Sequence, residues 1–172
     1  MSEFTRRQMV AGSALGLASM FIVGTVADAQ EKSAAPPHPG EVIDAKAIHQ
    51  EVDFKVAPKR IYEALLDSKQ FTEFSGGRKA EIHREVGGTF SCFDGVIEGR
   101  NLELVADKRI VQAWRVKYWP DGIYSIARFD LKEQGTATHI LFDHTGFPVK
   151  AAETLASGWY ENYWDLLRKY FA

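Results

Sequence analysis

Hydrophobic and polar positions along this chain follow three successive rhythms. From Gln8 to Ala27 no charge interrupts an apolar run that is diluted by Gly12, Ser13, Gly16, Ser19, Gly24 and Thr25. From Ala47 the pattern alternates: AIHQEVDFKV reads as a strand, because successive strand side chains point to opposite faces. Pro58 then opens PKRIYEALLDSKQFTEF, where Ile61, Ala64, Leu65 and Leu66 recur at helical spacing and proline suits the first turn. Ser68 is expected to cap a second short helix ending near Phe74, before Gly76-Gly77. Turn signals follow at short intervals: VGG (86–88), DG (94–95), ADKR (106–109), PDG (120–122) and EQGT (133–136). They bound strands at 79–84, 89–93, 96–105, 109–118, 123–132 and 136–145, the spacing of an antiparallel meander.

After Phe147 the period lengthens to that of a helix. Leu155, Trp159, Tyr163, Leu166 and Tyr170 form one stripe, and Tyr160, Trp164, Leu167 and Phe171 the adjacent one. An apolar face this broad exceeds what a surface helix needs and calls for a curved sheet to hold it. The expected architecture is therefore α+β: a strand, two short helices, six strands forming a bent antiparallel sheet, and a long C-terminal helix gripped by it.

Strand alternation assigns inward faces. Phe90 and Cys92 point in from the short strand. Ile110, Gln112, Trp114 and Val116 do so from the next long one, then Ser125, Ala127, Phe129 and Leu131, and finally Thr138, Ile140, Phe142 and His144. Asn101 and Glu103 share a face with Ile97, but Leu102 and Leu104 claim burial equally well. The inward aromatic side chains would meet between sheet and helix, either as a filled core or as the wall of an apolar pocket with few polar groups. On the pocket reading, Phe90, Gln112, Trp114, Phe129, Phe142, His144, Trp159 and Tyr163 border a ligand cavity.

The start of the chain narrows where such a protein works. Arg6-Arg7, the uncharged run and Ala27-Asp28-Ala29 follow the pattern of an export signal cleaved after a small residue. The adjacent arginines suggest the twin-arginine type, although Met9 and Val10 stand where that signal usually has Phe-Leu. The expected organisation is a signal over residues 1–29, a disordered Pro-rich lead-in over 30–46, and one domain over 47–172. Cleavage leaves no membrane span and places the domain in the periplasm. A net charge of −2 offers no electrostatic case for nucleic acid. The single cysteine, Cys92, excludes an intramolecular disulfide and reads as a small buried hydrophobe.

Motifs for catalysis are missing. There is no G-x-S-x-G, Walker A, H-E-x-x-H or cysteine pair, so no catalytic residue, cofactor or metal is assigned. His139, Asp143 and His144 look like a cluster, but on a strand His144 points away from the other two. His144 itself is expected to be a buried histidine bonded to a neighbour, with a ligand-orienting or proton-handling role as the alternative.

VGGTFSCFDGVIEGRNLELVADKRIVQAWRVKYWPDG (86–122), GTATHILFDHTGFP and GWYENYWDLLRKYF resemble the activator of heat-shock protein 90 ATPase homologue-like family, within the START-like or SRPBCC superfamily. The likeness runs from about Ile48 to Phe171. It implies the helix-grip fold, usually with a cavity between sheet and terminal helix. Superfamily members include lipid carriers, polyketide cyclases and chaperone co-factors, so fold does not fix activity. The expected function is binding of a small apolar or amphipathic ligand. The alternatives are a cyclase- or hydratase-like enzyme using the same pocket and a periplasmic protein-interaction module. An export signal would separate this chain from a cytosolic ATPase.

Overall fold

The computed structural model describes residues 42–43 and 46–172. The expected signal and nearly all of the lead-in lie outside them. The exception is β1 (Val42–Ile43), which pairs antiparallel with β2 (Ala47–Phe54), so the tail of the expected disordered lead-in is part of the sheet. β2 buries Ile48, Gln50, Val52 and Phe54 on alternate positions.

Helix α1 (Pro58–Leu66) starts with proline in its first turn, as the missing N–H permits, and buries Ile61, Ala64, Leu65 and Leu66. It stops at Asp67, whose extended backbone breaks the helix and whose carboxylate accepts the Gln70 N–H at 2.8 Å. Asp67, and not Ser68, thus caps α2 (Ser68–Phe74). Carboxylate and hydroxyl are both good caps, and Ser68 has a different task. Its hydroxyl accepts the Ile82 N–H at 2.9 Å and so ties α2 to β3 (Glu81–Ile82).

The meander continues through β4 (Thr89–Cys92), β5 (Ile97–Val105), β6 (Arg109–Val116), β7 (Ser125–Gln134) and β8 (Ala137–Thr145). All pairs are antiparallel in one eight-stranded sheet, ordered β1-β2-β8-β7-β6-β5-β4-β3. Its two edges are strands of only two residues, which leaves little unpaired backbone for aggregation. A bulge in β5 settles the ambiguity at residues 101–104. Asn101 pairs with Gln112 and Glu103 with Val111, leaving Leu102 as the extra residue. Asn101 is buried, Leu102 exposed, and Leu104 turns back toward the core. Gly99 lies opposite Phe90; a Cβ there would sit 2.2 Å from the Phe90 ring and from the Ala113 carbonyl oxygen, so only glycine lets that ring cross the strand.

The terminal helix comprises α3 (Ala152–Trp159), a π-helical turn (Tyr160–Trp164) and α4 (Asp165–Tyr170). The wider turn rotates the buried stripe. Leu155 and Trp159 are buried before it, Tyr160, Tyr163 and Trp164 within it, and Leu167 after it, while Leu166 and Tyr170 are only partly covered. The two apolar stripes in the sequence are therefore used in succession. Gln50 pins the turn: its Nε2 donates to the Ala156 carbonyl (3.0 Å) and its Oε1 accepts the Trp164 indole N–H (2.7 Å). Between sheet and helix, Phe142 packs against Trp159 with centroids 4.3 Å apart and against Phe129 at 4.9 Å.

Candidate functional site

The interior around the expected cavity is nearly full. Only about 10 Å³ remains between Phe90, Cys92, Gln112, Phe129 and Tyr163, room for one water at most. Phe142 and His144 are fully buried. Gln112 donates to Asn101 Oδ1 at 3.0 Å, and Asn101 donates to the His83 carbonyl at 3.0 Å, so these polar groups satisfy one another.

A substantial apolar opening lies at the margin of that core. A half-open cleft of about 470 Å³ runs between the β4–β5 turn, β6 and the terminal helix. Trp114, Trp159 and Tyr163 form its floor, with Ile97, Val116 and Leu155 around them. Of the expected cavity residues, these three aromatics reach the cleft and the other five do not. A larger groove of about 700 Å³ lies beside α1, but charged side chains line it, including Arg109 paired with the buried Asp130 (2.7 Å), with no aromatic floor.

Backbone strain shapes one wall of the cleft. Phe93 and Asp94 hold φ of 54° and 57°, a region unfavourable for bulky residues and occupied mostly at turns and functional sites. This conformation swings Phe93 inward, next to Cys92, where simple alternation would send it outward. Its ring meets Phe71 (5.1 Å), Tyr163 (5.2 Å) and the Arg78 guanidinium (4.4 Å). Arg78 Nη1 also donates to Asn162 Oδ1 at 3.0 Å, joining the loop after α2 to the π-turn. Neither periodicity nor a motif selects Arg78, Phe93, Gly158 or Asn162 in the sequence. The only cues were a tight Asp-Gly turn just after Phe93 and a Gly-Gly-Arg segment after a helix.

His144 is a bonded core histidine. The Trp159 indole N–H donates to Nδ1 (3.0 Å), so Nδ1 must be the acceptor and Nε2 carries the proton. Nε2 then donates to Ser125 Oγ (2.7 Å), whose own proton goes to the Trp114 carbonyl (2.8 Å). Burial lowers its pKa to about 3. Such a group is neutral at physiological pH and sealed from the cleft, which leaves no support for a proton-handling role. His139 and Asp143 face outward, bonded to Asp53 (2.8 Å) and His49 (2.7 Å). Burial pushes the Tyr163 phenol well above its usual range, so it stays protonated and is no base. The Trp114 indole N–H is buried without a well-formed acceptor; Tyr163 lies close enough to temper that rise but not in good hydrogen-bond geometry.

An antiparallel sheet gripping a long terminal helix, with a cleft at their junction, defines a START-like protein. Residues 55–172 match the family described as activator of Hsp90 ATPase homolog 1-like protein, and the chain belongs to that family. It is 27% identical over 135 residues to a mouse protein named activator of 90 kDa heat shock protein ATPase homolog 2, covering 78% of this chain and 40% of that one. A human homolog 1 is 26% identical over 118 residues, covering 69% and 35%. The chain thus spans about two fifths of the length of these relatives. Among solved structures, an HSP90 activator from Plasmodium falciparum superposes with TM-score 0.65 at 25% identity, covering 69% of this chain and 90% of that one. CalU16 from Micromonospora echinospora gives 0.62 at 19%, covering 77% and 83%, a likeness of fold alone.

Proposed function

We propose that this protein is a binding module that holds a small amphipathic molecule in the cleft between the β4–β5 turn, β6 and the terminal helix. The observation that carries this reading is the aromatic floor of Trp114, Trp159 and Tyr163 under an opening of about 470 Å³, within the size range of small-molecule sites. Apolar surface contributes most of the affinity in such a site, and the few polar groups on its wall orient the ligand.

Gly158 supplies the test. A Cβ at this helical glycine meets nothing closer than Asn162 Nδ2 at 4.0 Å, so a larger side chain fills cleft space and not core. Gly158→Leu should fold with stability unchanged or raised by about 0.5–1 kcal/mol, since leucine is the better helix former. It should also abolish the fluorescence enhancement of N-phenylnaphthylamine, an uncharged apolar probe, that the parent protein gives. Equal enhancement from both proteins would place probe binding elsewhere and reject the cleft.

The module works outside the cytoplasm on this reading, supported by Arg6-Arg7, the uncharged run and Ala27-Asp28-Ala29. Among the described residues no helix is long and apolar enough to cross a membrane. The periplasmic protein should begin at Gln30 by intact-mass measurement; a Met-initiated chain in the cytosol would rule export out.

A protein-docking role is the second reading. Tyr118, Ile123 and Tyr124 expose apolar surface between β6 and β7, and relatives carry the names of chaperone ATPase activators. Absence of probe uptake by the parent protein would put this reading first.

A further inference from the structure

The cleft wall carries a guanidinium that has no salt-bridge partner among the described residues. Arg78 is half-buried, stacked over Phe93, and held by two neutral acceptors: its Nε donates to the Ser75 carbonyl at 2.8 Å and its Nη1 to Asn162 Oδ1 at 3.0 Å. Among the described residues it forms no ion pair, a feature it shares with Arg60, Arg84 and Arg100, but of these four only Arg78 lines the cleft. A guanidinium has five N–H donors in a planar fork, so most of Arg78's donor capacity is uncommitted. Two acids also line the cleft, Asp94 and Glu161, but both sit at its exposed rim. Asp94 is further engaged as acceptor of the Lys79 backbone N–H at 2.9 Å. Charges so exposed are strongly screened by salt, whereas a partly desolvated guanidinium is screened much less.

The second donor is the buried Trp114 indole N–H on the cleft floor, which lacks a well-formed acceptor. Arg78 and Trp114 thus both offer donors beside the aromatic floor, while the acids, Thr154 and Ser157 are exposed at the rim. Asn162 fixes the geometry. Its Nδ2 donates to the Gly158 carbonyl at 3.1 Å, which turns Oδ1 toward Arg78 and keeps the guanidinium plane on the Phe93 ring.

We infer that Arg78 sets ligand specificity, and that the cleft takes an amphipathic anion whose carboxylate, sulfonate or phosphate head meets the guanidinium while its apolar body covers Trp114 and Trp159. This rests on the cleft being the binding site.

Two probes sharing one apolar body separate head group from body: anilinonaphthalene sulfonate, which is anionic, and N-phenylnaphthylamine, which is not. Fluorescence titration of the parent protein should give the tighter constant for the sulfonate. Arg78→Met should weaken sulfonate binding about tenfold or more, the scale of a lost charge-assisted hydrogen bond, and leave the neutral probe nearly unchanged. Arg78→Lys, which keeps the charge but loses the fork, should fall between, and it decides the matter with the parent's two-probe ratio if the Met variant does not fold. Raising salt should erode the sulfonate preference only partly. Equal affinities in the parent, or parallel losses of both probes in Arg78→Met, would overturn the head-group assignment while Gly158→Leu still verified the cleft. Absence of binding by either probe to the parent would remove the cleft reading and this inference together.

Discussion

Replacing Trp159 with alanine should nearly unfold the domain. The indole packs within 4.2 Å of Tyr163 and 4.3 Å of Phe142, centroid to centroid, and touches Trp114 and Phe129 as well. Truncating an aromatic in such a position costs about 3–5 kcal/mol through lost burial and the cavity left behind. Trp159→Ala also strands His144 Nδ1, since the indole N–H is its donor at 3.0 Å; a buried acceptor left unpaired costs about 1–3 kcal/mol more. Against a typical total of about 5–15 kcal/mol, the sum leaves little. Lys169→Ala, on the exposed side of the same helix, should move the urea midpoint hardly at all. Similar small shifts for both variants would show that the helix is not docked through Trp159.

Acid should destabilise the protein through His144 before most carboxylates begin to titrate. Its folded pKa, lowered to about 3 by burial, lies below the unfolded value of 6.5. Between those two values the unfolded chain binds a proton that the folded chain refuses, so its contribution is fully present above 6.5 and is lost as pH falls toward 3. The slope of one proton is about 1.4 kcal/mol per pH unit. Urea unfolding at intervals from near neutral to mildly acid pH should show that slope in the parent. His144→Gln, less stable at every pH but without the titrating ring, should show it reduced by about that amount. His49 acts in the opposite sense, its pKa raised chiefly by the hydrogen bond to Asp143, but it is present in both proteins and cancels in the comparison. Parallel pH profiles would mean that His144 is not the buried neutral group described above.

Sequence pattern carried the fold far. Alternation located the inward residues of β6, β7 and β8 because each strand has one fully covered face, where a slip of one residue would expose the whole apolar set. It stalled at residues 101–104 because a bulge resets the period, and no side-chain preference announces the extra residue Leu102. The π-turn was equally silent. Both apolar stripes of the terminal helix were visible, but not that the chain passes from one to the other at Tyr160–Trp164. Ser68 and Asp67 are adjacent and both suited to capping, so composition alone could not choose between them.

The site was less legible than the fold for a different reason. Aromatic content cannot distinguish a filled interior from a pocket, because the difference depends on how volumes interlock in three dimensions. Phe129 and Phe142 fill the space that the pattern left open, and the free volume moves outward to Trp114, Trp159 and Tyr163. The wall opposite comes from Arg78 and Phe93, which no periodicity selects. Phe93 faces inward only because its backbone adopts φ of 54°, and Arg78 arrives from a loop after α2.

On this reading the cleft, and not the core, receives the ligand. Its most direct test is a proton–nitrogen NMR titration of the parent protein with anilinonaphthalene sulfonate, following the indole signals of Trp114, Trp119, Trp159 and Trp164 with the Gly158 amide. Saturable shifts are expected at Trp114, Trp159 and Gly158, with Trp164, buried against Phe142 and bonded to Gln50, moving much less. Shifts centred on Trp164, or none that saturate at Trp114 and Gly158, would contradict it.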